Sequence, residues 1–511
     1  MNKRDHSIRV QKAASTAILL NLKTTVRDEK EMQGFEPEAF SLGSAHSLTV
    51  KGPTIERASG SKDCVNLPSP TAVSRMMILG AGISGLSLSW HLKKRFPSAQ
   101  ITILEKTERA GGWLHTDHTT GFHFEKGART FLVSKSKSLL ELIQELGLTK
   151  ELIWSEMKTL PRFLWLDKHL EKMPINPIQM LFSPVTKGLI PALLTEWTKT
   201  PNLEDETVWD FVSRRLNPDV ARQLFDPMVM GIFGGDSREI SVKACFPILK
   251  EWEARYGSIT RGFLASRKIK PEESFLPRSA IFSFQSGTKT LIEKLSQHVA
   301  IQYQTEIQKL TRHNGIWSVH TTQGTLEADY VFSALPVLET ATLFEPFEPD
   351  VSKELFQMKH SGVAIVNVAY KKSVLPVKGF GYLTQSAAQE DVLGVIFDSC
   401  IFPCQNQEVM ETRLTIKLKE RNLTEEEYIG MALKGIQKHL GITATPDAIS
   451  FKRAVNAIPQ YKVGHVEKIA ALDAAFQKNV PNADLVGNYF SGVAVNHCVA
   501  RSKLVAERVM F

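Results

Sequence analysis

One glycine-rich segment restricts the fold of this chain more than any other feature of its sequence. Residues 76–79 form a short apolar run with the length of a buried parallel strand, and the G-x-G-x-x-G of residues 80–85 follows at once. Residues 86–96 have a helical pattern, and residues 101–104 form a second apolar run. This order predicts a complete parallel βαβ unit of the kind that binds a dinucleotide.

The residue types in and after this loop suit the phosphates and ribose of a dinucleotide. The first glycine permits a tight turn, the second lets backbone approach a pyrophosphate, and the third lets the helix pack on the strand. Glu105 falls 20 residues after Gly85, at the end of the second strand, where its carboxylate can accept hydrogen bonds from ribose hydroxyls. The alternative is a glycine-rich turn followed by a solvent-facing glutamate. The predicted contacts of this segment are Gly80, Ala81, Gly82, Ile83, Ser84, Gly85 and Glu105.

Two further segments favour FAD over NAD. Residues 105–113 resemble the second fingerprint of the amine-oxidase-like flavoproteins, in which Arg109 can meet the pyrophosphate and two glycines bring backbone close to the cofactor. Near the C-terminus a small-residue loop opens a helix whose N–H groups can face the flavin or its phosphates. Plain C-terminal packing is the alternative for that segment. The predicted cofactor contacts outside the first loop are Lys106, Arg109, Gly111, Gly112, Trp113, Gly127, Ala128, Ile307, Gly487, Asn488, Val493, Ala494 and Val495.

From residue 76 onwards the chain resembles the oxygen-dependent protoporphyrinogen oxidase family, together with the coproporphyrinogen oxidases of the same fold. The first and last motifs are shared with other flavin oxidases, whereas D-P-x-V-x-G-I-F-G-G-D and A-I-P-Q-Y-x-x-G-H are much more specific. Ala128, Ala494 and His497 stand where the family commonly has other residues, and residues 413–418 lack the usual glycine-rich ending. The motifs that carry the resemblance are residues 80–86, 125–131, 225–236, 282–291, 457–465 and 487–498.

The resemblance implies an FAD-dependent oxidase that acts on a porphyrinogen in tetrapyrrole synthesis. Three hydride transfers to flavin would convert protoporphyrinogen IX to protoporphyrin IX, and molecular oxygen would reoxidise the flavin to give hydrogen peroxide. Orientation is then the main task of the protein, so no side chain is assigned as a catalytic acid or base. His465 and His497 are interpreted as structural. The alternative substrate is coproporphyrinogen III, and the resemblance also implies a homodimer.

The predicted substrate site combines one cation with an apolar wall. Arg129 is assigned to a substrate propionate, because the resemblance places it there and a guanidinium can hold a carboxylate at two points. Burial against FAD or pairing with Glu125 is the alternative. Gly231, Leu383 and Phe397 are assigned to the face of the ring system, with core packing as the alternative. Two rival functions stay open, a flavin amine oxidase and a non-catalytic FAD-bound scaffold.

The distribution of the motifs predicts an α/β fold in which a Rossmann-like FAD-binding domain is assembled from separated segments. An α+β substrate domain and a helical domain that can associate with a membrane are inserted between those segments. The predicted parts are a leader at 1–75, FAD-binding segments at 76–145, 271–340 and 451–511, substrate segments at 146–174 and 341–450, and a helical domain at 175–270.

Composition limits the setting in which the chain works. Its net charge of +8 is spread without long basic blocks, which argues against nucleic acid and fits anionic substrates or an anionic membrane surface. Five cysteines, an odd and sparse set, indicate a reducing compartment and predict no metal site. We expect a cytoplasmic protein that lies on the inner face of the cell membrane through residues 174–197, with a core helix pair as the alternative. Residues 1–75 are interpreted as a disordered leader or an over-extended start, with an organelle-targeting leader as the alternative.

Overall fold

The computed structural model describes residues 74–118, 120–156, 160–267, 275–277, 280–388 and 390–510. The predicted leader at 1–75 lies outside the described residues, apart from its last two positions.

The strands of the described residues are numbered β1 to β20 in chain order. They are Arg75–Leu79, Gln100–Leu104, Thr116–Asp117, Phe124–Glu125, Phe131–Leu132, Leu152–Glu156, Arg162–Leu166, His169–Lys172, Ala280–Phe284, Ala300–Gln302, Ile307–His313, Ile316–Thr321, Gly324–Ala328, Tyr330–Ser333, His360–Tyr370, Gly381–Thr384, Val392–Ile396, Thr412–Lys419, Ala448–Pro459 and Ala483–Leu485.

The α-helices of the described residues are numbered α1 to α17, again in chain order. They are Ile83–Arg95, Lys137–Glu145, Pro177–Phe182, Leu189–Thr195, Val208–Arg215, Pro218–Val220, Asp226–Phe233, Val242–Cys245, Pro247–Tyr256, Ile259–Ser266, Lys289–Ser296, Val337–Phe344, Pro349–Phe356, Asp398–Ile401, Glu425–Leu440, His465–Asn479 and Val495–Arg508.

A five-stranded parallel sheet, which we call the nucleotide sheet, has the strand order β10-β2-β1-β14-β20. Its strands come from three separated stretches of chain, within residues 75–104, 300–333 and 483–485. This confirms that the Rossmann-like part is assembled from distant segments. Strand β1 lies in the middle, where Ile78 and Leu79 are completely buried in hydrophobic clusters on opposite faces. Burial on both faces explains why this strand forms a continuous apolar run in the sequence.

The predicted local elements are present, with small shifts at their ends. Helix α1 begins at Ile83 rather than at Leu86, because the glycine loop already adopts helical geometry after Gly82. The predicted hairpin at residues 161–174 is confirmed as β7 and β8. Its turn has positive φ at both central residues, 49° at Asp167 and 67° at Lys168. Such a turn matches the right-handed twist of a hairpin.

A second, seven-stranded sheet has the order β19-β15-β18-β17-β16-β7-β8. One of its faces packs on α15 through a cluster that includes Val366, Val395 and Ile416. The opposite face carries the residues between these positions, because side chains alternate along a strand. We call this the inner face. Its first row, read across the paired strands, is Lys452, Ile365, Lys417, Gly394, Leu383 and Leu164, and its second is Ser450, Asn367, Thr415, Ile396, Gly381 and Arg162.

The stretch predicted to be helical forms helices α3 to α10 around a core that contains Val208, Phe211 and Val242. Several apolar side chains at its start stay exposed, among them Ile178 at 74% and Phe182 at 69%. Within the described ranges, no helix combines the length and the hydropathy required to cross a bilayer.

Candidate active site

The glycine loop between β1 and α1 has the geometry that the sequence predicts. Gly80 has a φ of +100°, in a region that other residues rarely adopt. A Cβ on Gly85 would overlap the carbonyl oxygen of Gly80, so only glycine lets α1 approach the loop this closely. By contrast, apart from the chain neighbours, no atom of the described residues lies within 4 Å of a Cβ built on Gly82. The loop is therefore tightly packed on one side and open at Gly82.

The N-terminus of α1 keeps its hydrogen-bond donors for a ligand. Gly82 supplies no side-chain cap, and the first turn contains no acidic residue. The first helical hydrogen bond runs from Leu86 N to Gly82 O, so the N–H groups of Ile83 and Ser84 precede the helical ladder. Free N–H groups and the positive end of the helix dipole together favour a phosphate.

Glu105 lies at the end of β2 beside this loop. Its Oε2 accepts a hydrogen bond from Ala81 N at 3.0 Å. Its Oε1 accepts hydrogen bonds from the backbone N and the hydroxyl of Thr107, at 2.9 and 2.8 Å. These bonds hold the partly exposed carboxylate in one orientation, and its remaining lone pairs can accept from ribose hydroxyls.

The second glycine loop runs beside the first at backbone contact. Gly111 N donates to Ala81 O at 2.8 Å, and a Cβ on Gly112 would lie 3.3 Å from Gly82 Cα. Both glycines have positive φ, +110° at Gly111 and +56° at Gly112. The Arg109 guanidinium donates to Gly112 O at 2.8 Å and braces the loop, and burial lowers its pKa.

Positive charge surrounds these loops. Trp113 is 42% exposed, and the Nζ of Lys452 lies 5.9 Å from the centre of its ring. Burial lowers the pKa of His115 to about 4, and the positive charges of Arg109 and Lys126 contribute to this shift. Open backbone, N–H groups that precede the helical ladder, a carboxylate at the end of the second strand and a positive field are what a dinucleotide with a pyrophosphate requires. The residues present therefore fit FAD.

The remaining predicted cofactor residues of this region differ in how close they come to the loops. A Cβ on Gly127 would overlap Trp113 O, so the backbone there runs against the second loop. Ala128 and Ile307 pack, partly buried, on the two hydrophobic clusters of the nucleotide sheet. Lys106 is exposed. Contact between these residues and FAD stays a prediction.

Glu125 connects two motifs that are more than 150 residues apart in the chain. Its buried carboxylate accepts a hydrogen bond from Thr116 Oγ1 at 3.0 Å. It also accepts hydrogen bonds from the backbone N and hydroxyl of Thr288, at 2.8 and 2.7 Å. Thr288 belongs to the loop that precedes α11, so the motifs at 125–131 and 282–291 form one structural unit.

The C-terminal motif is also joined to the A-I-P-Q-Y motif by hydrogen bonds. Asn488 Nδ2 donates to Ala457 O at 3.1 Å, and the Tyr461 hydroxyl donates to Asn488 O. Asn488 follows Gly487, just beyond the end of β20. His465 Nε2 hydrogen-bonds with the carbonyl oxygen of Phe490 at 2.9 Å, which supports its structural interpretation.

The loop before α17 links the nucleotide sheet with the helical region. Ala494 is the N-cap residue of α17, and Val495 is buried in the cluster behind the first glycine loop. Val493 packs against the cluster of the helical region. A Cβ on Gly492 would overlap the ring of His497, so this histidine fills space inside the loop.

Helix α7 is held against this framework by two polar side chains. Gln460 Nε2 donates to Phe233 O at 2.8 Å, at the end of the helix. At its start, the Asp226 carboxylate accepts from the Ser237 hydroxyl at 2.8 Å and from the Ser386 hydroxyl. The two most specific motifs of the sequence are thus joined to each other.

Gly231 and Leu383, both assigned to substrate, are in direct contact. A Cβ on Gly231 would lie 2.5 Å from Leu383 Cδ2, so the missing side chain lets α7 lie directly over the inner face. Phe397 is in a different environment, because its ring is completely buried in the cluster on the other face of the sheet. Substrate contact by Phe397 stays a prediction, and its burial favours the core-packing alternative.

Arg129 is buried, and its donors meet protein groups. Nη1 donates to Asp398 Oδ1 at 3.1 Å and also to the Thr415 hydroxyl. Nη2 donates to the carbonyl oxygen of Glu125 at 3.1 Å. The arginine therefore contacts polar groups of the inner face and forms a neutral pair with Asp398, and its contact with a substrate propionate stays a prediction. A substrate carboxylate there would have to compete with an existing partner.

Several polar residues around Arg129 were not predicted from the sequence. Asn367, Thr415 and Asp398 form one hydrogen-bonded group, in which Thr415 Oγ1 donates to Asp398 Oδ2 at 2.7 Å. Lys417 and Arg162 lie on the same inner face. The alternation of polar and apolar residues along 412–419 was the available signal, because polar residues on every second position indicate a strand face that meets a ligand or another domain.

Among the described residues, no cluster of three or more histidines, cysteines or acidic residues is arranged to hold a metal ion. Cys400 and Cys404 are both free thiols.

Comparison with known proteins gives consistent results. A family model described as flavin containing amine oxidoreductase matches residues 83–510. The human protoporphyrinogen oxidase is 31% identical over 468 residues, which cover 85% of this chain and 98% of the human protein. Coproporphyrinogen III oxidase of Staphylococcus aureus is 23% identical, with coverage of 85% and 98%.

Solved structures agree at the level of the fold. A structure from Exiguobacterium sp. 255-15, described as a candidate protoporphyrinogen oxidase, superposes with a TM-score of 0.75 at 23% identity. It covers 85% of this chain and 98% of its own. Cyclohexylamine oxidase from Brevibacterium oxydans has a TM-score of 0.63 at 16% identity, with the same coverage.

Proposed function

Because the chain belongs to the flavin containing amine oxidoreductase family, and within it to the protoporphyrinogen oxidases, we propose that it oxidises protoporphyrinogen IX to protoporphyrin IX. FAD is its cofactor. The observation that carries the proposal is the 31% identity that extends over 98% of the human protoporphyrinogen oxidase. The reaction belongs to haem biosynthesis, with molecular oxygen as the final electron acceptor.

The chemistry requires little acid–base help from side chains. When bound, FAD supplies a hydride acceptor, and in three rounds six electrons leave the porphyrinogen and reduce three dioxygen molecules to hydrogen peroxide. Aromatisation of the macrocycle drives the reaction, so the side chains mainly orient the substrate and exclude competing reactions.

The substrate's place is proposed on the inner face, beside its contact with helix α7. Gly231 and Leu383 offer an apolar surface for the flat macrocycle, and Leu164 lies beside Leu383 in the same row. Trp113 and Lys452 mark the cofactor end of this row. The inner face therefore connects the region that fits FAD with an apolar wall that fits a tetrapyrrole.

Propionate groups need positive charge in this space. Arg129 remains our proposed partner, although its pairing with Asp398 reduces its attraction for a second carboxylate. Arg162 lies in the second row of the inner face, with its guanidinium 5.4 Å from the centre of the Phe380 ring. It is a further candidate for one propionate.

The direct test is porphyrin fluorescence and oxygen uptake by the purified, FAD-loaded protein. We expect fluorescence to grow with protoporphyrinogen IX, three oxygen molecules to be consumed per porphyrin, and a monoamine control to give no uptake. Faster turnover of coproporphyrinogen III would assign the alternative substrate. Turnover of the amine alone would contradict the proposal.

We also propose that the helical region rests on an anionic membrane surface from the cytoplasmic side. Ile175, Ile178, Phe182 and Trp197 are each at least half exposed, and single apolar residues of this size commonly insert at an interface. Co-sedimentation with anionic vesicles tests this, and I178S combined with F182S should reduce the bound fraction. A homodimer is proposed from the resemblance alone, and sedimentation velocity tests it.

A further inference from the structure

The inner face contains a lysine that forms an ion pair with none of the acidic residues that the structure describes. Lys417 lies on β18 in the first row, between Ile365 and Gly394. Its Nζ lies 3.4 Å from Gly231 O of helix α7, which is a long hydrogen bond. Among the described residues Lys417 forms no ion pair. Arg129 and Asp398, the charged groups that influence it most, already pair with each other.

A partly buried cation without a counter-ion is costly to the protein. Burial and the positive charge of Arg129 together lower the pKa of Lys417 to about 8, and Asp398 partly opposes the shift. Desolvation without a partner costs free energy, and such residues are common at ligand sites. Since no ion pair within the described part of the chain explains the charge, a ligand anion is the simplest reason for it.

The position of Lys417 places that anion in the proposed substrate space. Gly394, its neighbour in the row, has no side chain, and Gly231 above it has none either. Lys417 and Lys452 lie in the same row, two strands apart, and Lys452 marks the cofactor end. Two inter-strand spacings separate them by about 10 Å. Leu383, two strands away on the other side, marks the apolar wall.

We propose that the Lys417 ammonium group binds a carboxylate of the substrate and so determines which acidic macrocycles the enzyme accepts. This inference rests on the proposed function and makes it more specific. The carboxylate supplies a counter-ion that Lys417 lacks among the described residues, and a charge-assisted hydrogen bond of this kind fixes the orientation of the ring system on the inner face beside α7. Occupation by a carboxylate raises the pKa of Lys417, so binding and protonation support each other.

The test compares the FAD-loaded variants K417M and K417R with a matched control, K434M. Lys434 is exposed on α15, which covers the opposite face of the same sheet, so its removal subtracts the same charge elsewhere. Equilibrium binding of protoporphyrin IX, followed by quenching of porphyrin fluorescence, measures the interaction without turnover. Steady-state kinetics with protoporphyrinogen IX provide the second readout, and thermal unfolding verifies that each variant is folded.

We expect K417M to raise both the Kd and the KM by roughly tenfold or more, with kcat changed by less than about threefold. K417R should restore most of the affinity, and K434M should match the wild type. Wild-type affinity should fall above about pH 8, where the free protein loses the ammonium proton of Lys417, whereas K417M should show no such loss.

Two results would overturn the assignment. One is a folded K417M variant that binds protoporphyrin IX like the wild type. The other is an unchanged KM with a lowered kcat and an altered basic limb of its pH profile, which would make Lys417 a proton acceptor. If the wild type binds porphyrin through Lys417 but oxidises no porphyrinogen, the proposed function fails while the binding assignment stands.

Discussion

The glycine loops around α1 and the inner face of the seven-stranded sheet obtain their specificity by different means. The loops act through backbone, with Gly82 left open and Gly85 packed against Gly80, and all these residues are close in sequence. The inner face acts through side chains, such as Arg129 and Asp398, that come from distant segments. The two glycine loops are thus determined locally, whereas the proposed substrate region depends on the tertiary fold.

The largest expected effect concerns the glycine loops, which act through backbone. G85A should cost about 3 kcal/mol or more of folding stability, because the new methyl group overlaps the carbonyl oxygen of Gly80 and neither backbone segment can move away. We expect purified G85A to be colourless and to unfold at lower temperature, as measured by flavin absorbance and thermal denaturation.

The matched control is G82A. Gly82 is the preceding glycine of the same loop, and the space around its Cβ position is open. The G82A variant should lose no more than about 1 kcal/mol of stability in the apoprotein, because the added Cβ meets no atom within 4 Å in the described structure apart from its chain neighbours. Its affinity for FAD should fall clearly in a titration. Equal loss of stability in G82A and G85A would show that the loop is not divided into a packed and an open side.

The second prediction concerns the inner face, which acts through side chains. R129M should cost about 3 kcal/mol of stability, because Asp398 is then left partly buried without its partner. The double variant R129M/D398N should recover part of this loss in urea denaturation. If Arg129 also binds a propionate, the KM should rise equally in both variants while the flavin content stays unchanged.

A loss of FAD in R129M would instead move Arg129 to the cofactor site. Unchanged stability in R129M would show that the pair with Asp398 contributes little, and the contrast between the two regions would weaken.

The third prediction concerns Asp473, a charged side chain within the nucleotide region. The comparison is weakest there, because side chains and not backbone make the contacts. Arg501 and Arg508 donate hydrogen bonds to Asp473 at 2.6 to 3.1 Å, and these bonds lower the pKa of this carboxyl to about 2 against the effect of burial. Because the folded pKa lies below the ordinary value of 3.8, the stabilisation is complete above about pH 4 and is lost as the pH falls towards 2.

We therefore expect D473N to lose about 2 kcal/mol of stability at pH 7 and little at pH 2. Chemical denaturation at several pH values measures the difference. A constant difference between pH 7 and pH 3 would mean that the carboxyl is not coupled to the two arginines.

The smallest expected effect sharpens the description of the apolar wall. G231A should cost only about 1 kcal/mol, because the new methyl group meets the flexible end of Leu383 rather than backbone. In G231A/L383A the two losses should not add, since each change affects the same contact. Additive losses in thermal denaturation would place the two residues in separate environments.

Much of the nucleotide region could be predicted from the sequence, because its signals are local. Strand β1, the glycine loop and Glu105 follow one another within about 30 residues, and each position has a conformational or packing reason for its residue type. The resemblance assigned Gly231 and Leu383 to the substrate. It did not predict that the two residues contact each other. It assigned Phe397 to the substrate, where the structure shows a fully buried ring.

The sequence by itself determined the βαβ unit, the cofactor class and the family, because backbone geometry and short-range periodicity leave a record in consecutive residues. Only the tertiary structure decided which charges meet on the inner face. Arg129 pairs with Asp398 across more than 250 residues, whereas Lys417 has no such partner in the described ranges of the chain. Ion pairing depends on distances in space, which strand register and the packing of α7 determine and which no local pattern encodes.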